Sequence, residues 1–354
     1  SITAIMKIIK KSLILILSIL TILILGGLIY ININLPNLPP LTNKIIDNAL
    51  KKNALKLKGE QGYAKNNDTK IWYESISPED SIKGNIILIM GIANDALAWP
   101  DYFINSLVDS GYRVIRFDNR GTGMSDWMDD WSANNSYSLE DMADDAIAIL
   151  DTLQIPKAHV IGASLGGMIA QSICVNYPER VITLVSIMST GNIMDSNLPS
   201  INSGTIMDLM LAQIKYGIFD SESNQIKLHI TSRMLLMGDD KYELDLENIA
   251  NSVLYNLRQR KGFNSDASKQ HIAATMKSGS RYEELAKLET PTLVIHGKSD
   301  PLIDFKHGIK THEIIPNADS LWIKGMGHDI PQKFSSIIVI GIIDHIKRNS
   351  VSNE

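Results

Sequence analysis

Apolar residues fall into three patterns along this chain. Residues 12–31 form a run of about twenty without a charge, which at roughly 1.5 Å per residue can cross a ~30 Å hydrocarbon core. From about Gly62 the pattern changes to short, mostly apolar segments, at 85–90, 112–117, 158–161, 181–187, 292–296 and 320–323. Runs of that length predict strands covered on both faces. Tyr63-Ala64 and residues 70–76 predict an opening hairpin around Lys65-Asn66-Asn67-Asp68. Helices are predicted between the strands. One spans 102–110 and stops at Gly111; another begins at the capping box Ser138-Leu139-Glu140-Asp141 and repeats Met142, Ala143, Ala146, Leu150 and Leu153 at helical spacing. A last Ile-rich helix over 335–347 is expected to break at Asp344 and to pack on the sheet. Strand–helix alternation of this kind predicts an α/β domain with a mostly parallel sheet and helices on both faces. Between Gly191 and about Arg281 the alternation fails, and the chain reads as helix-rich without clear strands.

The expected organisation is a cytoplasmic segment 1–11, a transmembrane signal anchor 12–31, a linker 32–59, an α/β core 60–190 and 282–354, and a helical cap 191–281. Lys7, Lys10 and Lys11 precede the apolar run and no charge follows it until Lys44. The positive-inside rule then leaves the N-terminus cytoplasmic and exports the rest. A cleaved signal peptide is the rival reading. The run exceeds the usual about 7–15 residues of such a peptide, and no small-x-small site follows. Leu35-Pro36-Asn37-Leu38-Pro39-Pro40 predicts a stiff tether. Residues 43–58 predict a short amphipathic helix, either resting on anionic lipid or solvated as a linker.

With 354 residues the chain can bury one large core. A net charge of -5 argues against a nucleic-acid surface. Cys174 is the single cysteine, so neither an intrachain disulfide nor a cysteine metal site can form; on the helix after Ser164 it reads as a small buried hydrophobe. His307 and His312 are five apart, and helical ligand pairs fall at three or four. No metal or cofactor is expected.

The chemistry concentrates in three places. Gly162-Ala163-Ser164-Leu165-Gly166-Gly167 joins a predicted strand to a predicted helix, the context of a nucleophile elbow. Such a turn strains the serine backbone, and side chains at positions 162 or 166 would collide where strand and helix cross. Gly297-Lys298-Ser299-Asp300-Pro301 and Lys324-Gly325-Met326-Gly327-His328-Asp329 each follow a predicted strand. The chain order is therefore Ser164, Asp300, His328, which is the α/β-hydrolase order. Asp304 is a fallback acid four residues on, and Asp329 reads as a loop or pocket carboxylate. His159 and His296 read as core or edge residues.

From about Gly62 to near its end the chain resembles an α/β-hydrolase-fold esterase, most similar to the aclacinomycin methylesterase group. The residues carrying the resemblance include Leu88-Ile89-Met90-Gly91, Ala98-Trp99-Pro100-Asp101, the segment from Arg116 through Asp118-Asn119-Arg120 to Ser125, and Gly325-Met326-Gly327-His328-Asp329-Ile330-Pro331. The resemblance implies that backbone N–H groups of Ile92 and Leu165 form an oxyanion hole, that 191–281 caps the site, and that Asn94 or Trp99 line the acyl pocket. Arg120 reads as a structural anchor. Met194, Met207, Met210, Met234, Met237 and Met276 suit either an adaptable pocket or ordinary core filling. One departure stands out: Met90 occupies a position where many relatives carry histidine, so a polar brace for the oxyanion loop is missing.

The expected activity is a membrane-anchored serine hydrolase acting on a small-molecule carboxylic ester through an acyl-enzyme, with residues 12–31 in the lipid bilayer. Thioesterase, lactonase or lipase activity uses the same triad, and a non-catalytic binding domain on a membrane stalk is the reading from another class. Oligomeric state stays open.

Overall fold

The computed structural model describes residues 2–52, 57–219 and 221–350. Helices α1 (Ile2–Asn34) and α2 (Thr42–Leu50) lead into β1 (Glu60–Asn66), β2 (Thr69–Ile76), β3 (Gly84–Ile89), α3 (Asp101–Asp109), β4 (Tyr112–Phe117), α4 (Leu139–Thr152), β5 (Ala158–Ala163), α5 (Leu165–Asn176) and β6 (Val181–Ile187). Four helices follow, with no strand among the described residues: α6 (Ser203–Gly217), α7 (Glu222–Leu235), α8 (Leu246–Gln259) and α9 (Ala267–Ser278). The chain ends with α10 (Tyr282–Leu285), β7 (Thr292–Gly297), α11 (Phe305–Ile314), β8 (Asp319–Ile323) and α12 (Gln332–Ser350).

The strands form one sheet in the order β1-β2-β4-β3-β5-β6-β7-β8. Pairings from β4 through β8 are parallel, and β1 and β2 are antiparallel at one edge. Parallel strands need crossovers, and the helices that supply them cover both faces. Successive residues on one strand therefore enter different cores. Ile87, Ile115 and Val160 join α4 and α5 residues such as Met142, Ala146 and Ile169. Their neighbours Ile86, Val114 and Ile161 join Phe103, Leu107, Ile338 and Ile342 from α3 and α12. The helix α4 begins at the predicted capping box, with Ser138 Oγ accepting from the Asp141 N–H and the Asp141 carboxylate from that of Ser138.

Three expectations need correction. The last helix runs through Asp344 to Ser350, because Asp344 falls on its exposed face while Ile338, Ile342 and Ile346 are buried. The segment expected to rest on lipid or in solvent forms α2, whose Ile46 and Ala49 pack against Ile226, Ile230, Ile249 and Val253 of α7 and α8. Its residues 53–56 lie outside the described residues. Of the six methionines, only Met237 is buried; Met194, Met207, Met210 and Met276 are exposed. Within α1, Leu15–Asn34 is long and apolar enough to cross a membrane.

Candidate active site

Parallel strands deliver the ends of β3, β5, β7 and β8 to one edge of the sheet, where a doubly wound fold binds its ligands. Ser164 follows β5 with φ 55° and ψ -121°, a conformation costly to a side-chain-bearing residue. The Ser164 N–H donates to the Ile187 carbonyl at 2.9 Å, and Ser189 Oγ donates to the Ser164 carbonyl at 2.7 Å. The expected collisions are explicit. A Cβ on Gly162 would stand 2.0 Å from the Gly166 carbonyl oxygen, and one on Gly166 would stand 2.0 Å from that of Ile89. Glycine is required at both places by close approach of backbone.

The structure brings Ser164, His328 and Asp300 together at this edge. His328 Nε2 lies 3.0 Å from Ser164 Oγ, and His328 Nδ1 lies 2.7 Å from Asp300 Oδ2. The second carboxylate oxygen of Asp300 accepts from the N–H groups of Leu302 and Ile303, both at 2.9 Å. Burial works to raise the Asp300 pKa, but the charge on His328 and the hydrogen bonds of His296 and His328 outweigh it and hold the carboxyl well below the usual range. His296 is thus more than a core residue: its Nε2 sits 3.3 Å from Asp300 Oδ2 and donates to the Ile303 carbonyl at 3.0 Å. Asp304 caps α11 through the Lys306 N–H and stays out of the triad.

The loop after β3 packs on Ser164, since a Cβ on Gly91 would meet Ser164 Cβ at 3.1 Å. Leu165 is the first residue of α5, so its N–H has no acceptor within the helix. The brace that Met90 cannot supply comes from elsewhere. His271, on α9, accepts the Ala93 N–H on its Nδ1 at 3.1 Å, and its Nε2–H donates to the Arg120 carbonyl at 2.9 Å. These two partners set its tautomer. Burial pulls the His271 pKa down to about 4, against the opposing effect of its hydrogen bond to Arg120. Asn119 Nδ2 adds a bond to the Met90 carbonyl at 2.9 Å. Nothing in the sequence marks His271, because α9 carries no motif and the contact spans 178 residues.

Other candidates are placed differently. Asn94 is exposed and bonds the Ile92 carbonyl of its own loop. Trp99 is 1% exposed and stacks on Phe103 within the α3 core, so it is a packing residue there. Arg120 clasps Asp145 through Nε and Nη2, each at 2.7 Å, which makes it the anchor expected. Asp329 accepts from Arg233 at 3.1 Å and from the Tyr242 hydroxyl at 3.0 Å. The Leu236 carbonyl takes the His328 N–H at 2.8 Å, so the α7–α8 segment grips the histidine loop. A surface cavity bounded by Glu74, Leu97, Arg116 and Tyr255 lies apart from the triad; Arg116 and Glu74 in its wall form a 2.7 Å ion pair.

The chain is 29% identical over 296 residues to the rhodomycin D methylesterase DauP of Streptomyces sp. strain C5, covering 79% of this chain and 96% of that one. It is also 29% identical over 301 residues to the rhodomycin D methylesterase DnrP of Streptomyces peucetius, covering 81% and 98%. The esterase EaEST of Exiguobacterium antarcticum superposes with a TM-score of 0.63 at 20% identity, over 81% of this chain and 100% of that one. Residues 84–331 match the family described as alpha/beta hydrolase fold, and the chain belongs to that family.

Proposed function

We propose that the protein is a carboxylic-ester hydrolase with Ser164 as nucleophile, working through an acyl-enzyme. The observation that carries this reading is the pair of short hydrogen bonds joining Ser164 to His328 and His328 to Asp300. A serine hydroxyl is a weak nucleophile until a base within reach takes its proton. As Ser164 Oγ attacks the ester carbonyl, His328 Nε2 accepts that proton and returns it to the departing alkoxide. Water then attacks the acyl carbon and gives its proton to the same nitrogen, which passes it to Ser164 Oγ as the acyl–oxygen bond breaks and the acid leaves. Asp300 orients His328 and stabilises the imidazolium that forms in each half. The backbone N–H groups of Ile92 and Leu165 receive the charge that develops on the carbonyl oxygen. Methylesterase activity in the two relatives supports an ester as substrate.

Residues 191–281 act as the cap. Support comes from Leu236 and Arg233 on the histidine loop and His271 on the loop after β3. Residues 12–31 anchor the protein in the bilayer, with 1–11 cytoplasmic and the catalytic domain exported; the length and apolarity of Leu15–Asn34 support this. Protease added outside intact spheroplasts then digests the catalytic domain, and its survival would overturn that orientation.

The catalytic reading is tested with Ser164→Ala on p-nitrophenyl esters from acetate to palmitate. Turnover is expected to fall about 10⁴-fold or more, together with loss of labelling by a fluorophosphonate probe. Hydrolysis unchanged by the substitution would sink the assignment.

A further inference from the structure

Helix α6 carries an apolar face that the fold does not bury. Ile206, Met207, Met210 and Ile214 on the helix, and Ile218 and Phe219 just past it, are 40% to 75% exposed. Contiguous exposed apolar surface of this kind marks a site of interaction on a soluble domain. The other side of α6 is ordinary core, with Leu211, Ala212 and Tyr216 buried.

Two observations say what covers the exposed face. First, Ile31 and Leu35 at the end of α1 share one buried cluster with Leu211, Ala212 and Tyr216. These residues sit at the very end of the apolar stretch Leu15–Asn34, the depth at which hydrocarbon gives way to headgroups. Exposed Tyr30 lies beside them, and tyrosine favours that boundary. Second, the exposed face is continuous with this contact. At 3.6 residues per turn, Met207 and Ile214 lie within about 60° of Leu211 around the helix axis. An α1 that crosses the bilayer therefore holds α6 at its surface, apolar side available.

We infer that the exposed face of α6 docks on the bilayer next to the exit of α1, lying in the interface as an amphipathic helix does. The inference rests on the reading of α1 as a membrane anchor. Its consequence for substrate follows from the start of α6, which is bonded to the loop after Asp300: the Asn202 N–H donates to the Leu302 carbonyl at 3.1 Å, and Thr205 Oγ1 to the Pro301 carbonyl at 2.6 Å. Docking holds the acid-bearing edge of the site close to lipid. Apolar esters that partition into the bilayer are the substrate class this arrangement serves.

Cys174 is buried and is the single cysteine, which permits site-specific labelling of the full chain. Leu20→Cys, Met210→Cys, Ile214→Cys and, as a control at the far end of the sheet, Lys157→Cys are each labelled with an environment-sensitive dye. The proteins are then reconstituted in phosphatidylcholine–phosphatidylglycerol vesicles with or without headgroup-proximal spin-labelled lipid. The inference expects loss of emission at 210 and 214 and none at 157. Loss at 20 alone would leave the anchor standing and overturn the docking of α6. No loss at any position would overturn both. Shielding of 210 and 214 from aqueous iodide without quenching by lipid would show a second copy of the chain on this face, and would also overturn the inference.

Discussion

Two residues, Ser164 of the proposed triad and His271 outside it, carry the tension of the site. Ser164 holds a left-handed backbone that glycine would adopt freely, and the hydrogen bonds to Ile187 and from Ser189 keep it there. His271 does the corresponding work for the loop after β3, where Ala93 also has a positive φ of 56°. It replaces in space the polar brace absent at Met90. His271→Phe is expected to lower kcat about tenfold with KM nearly unchanged, short of the about 10²–10³ that losing an oxyanion donor costs. His271→Asn, which can still offer an acceptor to the Ala93 N–H, should recover part of the loss. Steady-state kinetics on one p-nitrophenyl ester decides it: a rise in KM at constant kcat would assign His271 to substrate binding instead.

Among the elements, α2 and α7 matter beyond their own stability. The apolar face of α2 closes the cluster formed by α7 and α8, and the end of α7 in turn holds the His328 loop through Leu236 and Arg233. Ile46 is 1% exposed at the centre of that contact. Ile46→Ala should cost about 2–4 kcal/mol, and the loss should reach the site through α7. Thermal melting reads the first effect and the rate of limited proteolysis within 191–281 reads the second. A normal melt with fast proteolysis would mean that the insertion unfolds on its own.

For the whole molecule, buried titratable groups set the response to acid. Burial brings both His159 and His271 down to about 4, whereas an unfolded histidine titrates near ~6.5. Between those values the unfolded chain binds more protons, so stability falls as the pH drops from about 6.5 towards about 4. Asp118 acts in the opposite sense over the lower part of this window, its pKa pushed up to about 6 by burial against the pull of Arg260. His229, lowered by burial, acts with the two histidines, and Asp145, raised by burial against the pull of Arg120, acts with Asp118. His159→Gln removes one titrating group, so its thermal midpoint should fall less between pH 7 and pH 5 than that of the parent, by the equivalent of about 2 kcal/mol. Equal falls in both proteins would show that His159 is not held neutral.

Local interactions are what made so much of this legible. The strand runs, the capping box at Ser138 and the Gly162–Gly166 spacing each follow from residues a few positions apart, because periodicity, backbone conformation and close approach are short-range constraints. Asp300 and His328 could be named because each follows its strand directly, and a parallel sheet delivers all such positions to one edge. The sequence by itself therefore determined the α/β architecture, the triad candidates and the apolar span. Contacts between distant segments were beyond it. His271 under Ala93, His296 beside Asp300, α2 against α7 and α8, and the exposed face of α6 beside α1 all depend on which surfaces meet after the chain crosses over itself. Asp344 could not break α12, because a charge on the solvent face of a packed helix costs little. Trp99 went to the core for a similar reason: Phe103 and the α3 layer offered its ring more apolar contact than the loop did. Only the tertiary structure decided these, since burial is a property of neighbours and neighbours are set by the fold.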